Sequence, residues 1–287
     1  MNRFKFPRRG RQLPLTRLEA GLLMGAAALL AFALWGPVVS DSVHQHGFAD
    51  QRAWGGIPNL FDVLSNVPFV LAGTWGLVLL HGAPPHRLEA TTHALVVLFC
   101  GGLLCAAVGS MGYHCQPRDA TLIWDRLGMV LPFAGLLGLA ASSRVSQRAG
   151  CATAVVVLAL GLLAVLTWER SGNVLPWAVV QLGGALVVLA LAALHPRAKA
   201  LSIHLGAVIG LYALAKLFEA ADHAVFEATY GWVSGHTIKH LLASLAAWPV
   251  LSSLRALQVG RAADNLQVTA AVQNGDHSGR GAHRASV

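Results

Sequence analysis

Apolar runs near the roughly 20 residues that a helix needs to cross a bilayer follow one another along this chain, at about residues 19–39, 60–81, 92–114, 121–142, 151–168, 176–195, 200–222 and 235–256. The segments between them are short and carry helix breakers, as in GAPPHR, QPRDA, SSRVSQRAG, ERSGN and HPRAK. With loops this short the helices must pack as one bundle. Only 12% of the residues are charged and 55% are hydrophobic, where an ordinary soluble domain is about 25% charged. The expected fold class is therefore an all-α integral membrane protein, with a seven-helix core over residues 48–256 and one extra N-terminal transmembrane helix at 19–39.

The formal charge of +8 would point to nucleic acid in a soluble chain. Here the basic residues lie between and outside the apolar runs, where they act as topology signals. Counting by alternate sides, one side collects Arg3, Lys5, Arg8, Arg9, Arg11, Arg17, Arg87, Arg144, Arg148, Arg197, Lys199, Arg255 and Arg261, and the other only Arg52, Arg118 and Arg170. This asymmetry places both termini in the cytoplasm, in an inner or plasma membrane, with residues 1–18 as a basic cytoplasmic arm. A basic start before an apolar run also describes a signal peptide. The run from Ala20 to Val39 exceeds a signal core of roughly 7 to 15 residues, and VVSDSV is a poor cleavage site, so the first helix is expected to be retained. Residues 257–287, polar and glycine-rich, read as a disordered tail. Cys100, Cys105, Cys115 and Cys151 show no CxxC spacing, which leaves them as small packing residues.

Ionisable groups inside a membrane are costly and mark function by default. Ser110, His114 and Asp125 lie in GSMGYHCQPRDATLIWDRLGM, and His236 and His240 in SGHTIKHLLA. The charge count puts both groups near the outer face. Positions i and i+4 of a helix face the same way, so His236 and His240 can hold one ion. With His114 as a third nitrogen, three histidines plus water is the usual composition of a catalytic zinc site, and zinc lowers the pKa of such a water toward about 7. Asp125 would take the proton. Ser110, one turn from His114, would orient the water or hydrogen-bond a substrate carbonyl. The plainer readings are a hydrogen-bonded packing histidine and a serine bonded to its own helix.

The arrangement SxxxH, an aspartate eleven residues after that histidine, then HxxxH in the last helix, with DVLSN at Asp62 to Asn66 and WDRLGM around Asp125, resembles the alkaline ceramidases. These belong to a wider superfamily of seven-helix membrane hydrolases that includes the adiponectin and progestin receptors. The resemblance covers roughly residues 48–254. It implies zinc on His114, His236 and His240, water assistance by Asp125, contact of Ser110 with water or substrate, and hydrolysis of ceramide to a sphingoid base and a fatty acid. Ceramide is not distinguished from other N-acyl lipids by any residue. Eukaryotic ceramidases also carry a calcium site before the first core helix. Asp50, Asn59 and Asp62 of FADQRAWGGIPNLFD are oxygen donors there, but calcium wants six to eight oxygens, and calcium regulation is expected to be absent or weakened. The alternatives are a receptor-like or structural zinc protein without turnover, and a b-type haem protein using two of the histidines.

The other polar residues have quieter roles. Lys216, Glu219 and His223 share a face, with Asp222 beside them, and read as an internal ion-pair network; Lys239 is expected to point away from the zinc histidines toward Glu219 or Asp222. Asp62 and Asn66 are candidates to orient a ligand histidine. His44, His46, His81, His86, His93, His195 and His204 are assigned no chemistry, and Gly101, Gly102, Gly183 and Gly184 are expected to permit close helix packing.

Overall fold

The computed structural model describes residues 14–40, 46–84 and 87–259. The expectations placed on most of the basic arm, on most of the C-terminal tail, and on His44 and His86 fall outside the described residues. The elements are α1 Arg17–Trp35, α2 Leu60–Leu64, α3 Val67–Gly82, α4 Ala90–Cys115, α5 Asp119–Arg144, α6 Gln147–Ser171, α7 Leu175–Ala178, a π-helical turn Val179–Gly183, α8 Gly184–Ala192, α9 Leu205–Ala220, α10 Asp222–Ala228 and α11 Gly235–Leu245. Among the described residues the only β pairing is two isolated bridges. The chain is an all-α membrane bundle. Among the described residues seven segments are long and apolar enough to span: α1, Leu60–Gly82, α4, α5, α6, Leu175–Ala192 and Gly235–Val259.

The expected span at 200–222 is shorter than the sequence reading. α9 has 16 residues, about 24 Å at 1.5 Å per residue, against a hydrocarbon core of about 30 Å. Its helix breaks at Ala221, and the Asp222 carboxylate turns to accept the backbone N–H of His236 at 2.7 Å and of Ala49 at 3.0 Å. That carboxylate satisfies an orphan donor in the first turn of α11. Asp222 therefore holds the start of the last helix and does not belong to the ion-pair network expected of it.

A second break interrupts the run at 60–81. Pro68 has no N–H to give the carbonyl of Leu64, so α2 stops and α3 restarts beyond Ser65 and Asn66. Both side chains are buried at the break, beside His240 of α11.

Helices α4 and α5 cross at the centre of the bundle with small residues at the contact. A Cβ on Gly102 would lie 2.4 Å from the Pro132 nitrogen, and one on Gly135 2.5 Å from the Phe99 nitrogen. The crossing is set by backbone against backbone. Gly183 and Gly184 also meet neighbours, Leu29 and Leu137, whereas Gly101 faces open space and has no packing role. Replacing Gly135 with valine is expected to force α4 and α5 apart at a cost of at least about 1–3 kcal/mol. A lower melting temperature of the detergent-purified protein would register it.

The extra helix α1 is held at both ends. Thr16 and Glu19 form a capping box, and Glu19 also accepts from Arg148 and Ser146 at the start of α6. At the other end Val39 accepts from the backbone of Val174 and donates to the Asn173 side chain. Residues 16–19 thus lie beside 146–148, and 39–40 beside 173–174, as strict alternation of the helices requires.

Candidate metal centre

The last turn of α4, the break between α2 and α3, and the first turns of α11 meet at one end of the bundle. His114 and His240 are buried, and His236 is partly so. One nitrogen from each of the three rings lies within 4.8 Å of the others. The Nε2 atoms of His114 and His236 are 3.3 Å apart. Nitrogens bound tetrahedrally to one zinc at 2.0–2.1 Å are themselves about 3.3 Å apart, so this pair is spaced as such a site needs.

The chain sets the tautomer of His240. The Ser65 hydroxyl donates its hydrogen to the carbonyl of Asp62 at 2.8 Å. Its oxygen then accepts from Nδ1 of His240 at 2.7 Å, with the Asn66 amide 3.4 Å away. A proton on Nδ1 leaves the lone pair of Nε2 for a metal, the usual way a second residue orients a histidine ligand. The sequence reading named Asp62 and Asn66 for this task. Ser65 performs it more closely, and the Asp62 carboxylate instead accepts from Thr237 and Ser234 at the start of α11. Ser65→Ala is expected to weaken metal binding about tenfold to a hundredfold, read by titration against a chelator of known affinity.

His114 is placed by its backbone and by its neighbours. Asn59, in the left-handed region at φ 47°, where an asparagine is tolerated, donates its side-chain N–H to the His114 carbonyl at 2.9 Å. Phe48 lies against His114 and His236, with ring centroids 4.6 and 4.8 Å away. His46 bridges the Tyr113 hydroxyl and the Asp119 carboxylate at 2.8 and 3.0 Å, tying the segment that carries Phe48 to α4 and α5. Phe48, Asn59 and His46 had no spacing signal, since each acts from an irregular segment.

Asp125 and Ser110 line a cavity of about 160 Å³ together with His240, which joins them to the His114 and His236 rings packed against it. Away from this polar end the cavity is walled by apolar side chains, among them Phe69, Phe99, Leu103 and Phe133. The structure thus brings all five sequence-predicted residues to one place.

Lys239 does not point away. Its ammonium lies 3.0 Å from Nε2 of His236 and 3.2 Å from the Glu219 carboxylate, and it lines the same cavity. At i+3 from His236 it shares that face of the helix. Glu219 is shared with Lys216, which also reaches Gln181 of the π-helical turn at 3.4 Å. The network expected from Lys216 and Glu219 is present and joins α9 to α11, but His223 is exposed and outside it.

Of the three side chains considered for calcium, Asn59 donates through its amide N–H and Asp62 accepts through one oxygen. Both oxygens of Asp50 are taken by Arg52, whose guanidinium is held more basic by that carboxylate, while Asn59 and Asp62 serve α4 and α11. A haem is poorly matched as well, because axial ligands sit on opposite faces of the macrocycle whereas His114 and His236 touch.

No protein-family model matches the chain, and no curated protein does. The donor set stands on its own chemistry. Three imidazoles without a thiolate form a group that could hold a metal ion, and imidazole suits several transition metals.

Proposed function

We propose that this protein is a zinc-dependent intramembrane amidohydrolase that cleaves a lipid amide, with ceramide the first candidate and other N-acyl lipids the wider class. The observation that carries this reading is the cluster of His114, His236 and His240, of which His240 lines an apolar cavity beside Asp125 and Ser110. His114, His236 and His240 would hold the ion. Zinc, when bound, would supply Lewis acidity at the reacting centre.

The chain's own residues would do the rest. The apolar wall takes acyl chain and excludes water from all but the polar end. Asp125 accepts a proton from the attacking water and passes it to the leaving amine nitrogen. A C–O bond forms, the amide C–N bond breaks, and the products are a carboxylic acid and an amine. Ser110, on the same cavity wall as Asp125, would contact the attacking water or the substrate carbonyl. The charge asymmetry of the loops supports an orientation with both termini cytoplasmic and the site at the outer face.

The test is release of free fatty acid from a panel of N-acyl lipids by the zinc-loaded, detergent-purified protein. Cleavage of at least one lipid amide is expected. Zinc binding at one ion per chain with no cleavage of any of them would favour the receptor-like reading, in which the site binds without turnover.

A further inference from the structure

Lys239 is the one cationic side chain in direct contact with the histidine cluster among the described residues. Its side chain is 18% exposed and shares the cavity wall with Ser110, Asp125 and His240. An ammonium carries three N–H donors. One is used on Glu219 and one faces His236, so at least one is left for the cavity. Glu219 holds the ammonium and is itself steadied by Lys216.

Depth in the bundle decides what this donor can meet. Lys239 lies on α11 between the two histidines, in the turn that holds the reacting centre, and Asp125 faces its charge from α5. An amide with its acyl chain in the apolar slot presents its carbonyl oxygen at this level. Two ammoniums, Lys216 and Lys239, stand against two carboxylates, Glu219 and Asp125, so the protein wall is neutral before an ion or substrate enters. Negative charge developing on the substrate oxygen is the change this wall is set up to receive.

Building on the proposed amidase reading, we infer that Lys239 is a further catalytic residue, whose ammonium binds the carbonyl oxygen of the substrate and stabilises the oxyanion that develops as water adds. Glu219 is its positioning residue. Lys239 donates hydrogen bonds and keeps its three protons throughout; the proton from water still travels through Asp125.

The experiment compares wild type with Lys239→Met and Lys239→Arg on the lipid amide that wild type cleaves best. Lys239→Met is expected to lower kcat about a hundredfold while KM changes less than about threefold, because the lost interaction is made in the transition state. Zinc affinity, measured by chelator titration, is expected to be equal or tighter, since an ammonium beside a dication repels it. A lipid phosphonamidate, which mimics the tetrahedral oxyanion, is expected to bind Lys239→Met about a hundredfold more weakly. Lys239→Arg keeps the charge and the Glu219 pair, and is expected to recover part of kcat and of phosphonamidate binding; it also carries the test if the methionine variant does not fold.

Loss of zinc from Lys239→Met would make the lysine a support of the cluster and overturn the inference. A higher KM with kcat unchanged would make it a head-group anchor, with the same result. Equal kcat and phosphonamidate binding in wild type and both variants would also overturn it. A wild type that binds zinc but neither cleaves any lipid amide nor binds the phosphonamidate would refute the amidase reading itself.

Discussion

Replacing His240 with alanine is expected to abolish metal binding under conditions where the wild type is saturated. His240 is 4% exposed, and its Nδ1 is held by Ser65 at 2.7 Å, which leaves Nε2 for an ion. Removing a partner that merely orients a histidine costs about tenfold to a hundredfold in metal affinity. Removing the ligand itself is expected to cost more than about a hundredfold, seen as zinc content near zero after dialysis. The bundle is expected to persist, because the last span is anchored farther along by Ala247, Val250 and Leu254, all buried in the core. Metal retained at wild-type affinity would remove His240 from the ligand set.

The second large effect separates chemistry from binding. Asp125→Asn preserves shape, but a carboxamide does not take up the proton of water. General-base catalysis contributes about 10²–10⁴-fold, so kcat is expected to fall about a thousandfold within that range, with zinc content unchanged because the three imidazoles are untouched. Steady-state hydrolysis of the best lipid amide, run beside a zinc assay on the same sample, checks both halves. Full activity in this variant would move the proton-accepting role to another group.

These residues were legible in the sequence because helical spacing and the cost of polar groups in a membrane both singled them out. His236 and His240 are one turn apart, as are Ser110 and His114, and Asp125 follows across a short turn that returns the chain to the same end. What the spacing did not show was set by breaks. The clamp on His240 comes from Ser65 only because Pro68 stops α2. Asp222 leaves its neighbours Lys216 and Glu219 because the helix ends at Ala221, shortening the expected span at 200–222. Lys239 was legible in principle: three residues from His236 and one from His240, it sits at the edge of the face they define. The expected pairing with Glu219 is present, and it holds the ammonium beside His236 instead of away from the histidines.

The outer segment is the least legible part of the site. Phe48 lies against two of the three clustered imidazoles from a stretch without periodicity, and Asn59 reaches the His114 carbonyl from a left-handed position. Such contacts depend on how an irregular chain returns to the bundle, which helical spacing does not encode.

The most direct measurement is fatty acid release from a lipid amide by one purified sample, assayed as isolated, after complete chelation, and after zinc is restored. The account predicts activity that disappears with the metal and returns with about one zinc per chain, and no such return in His240→Ala. Undiminished hydrolysis by the fully chelated protein, or a reloaded protein that binds zinc at His114, His236 and His240 yet cleaves no lipid amide, would contradict it.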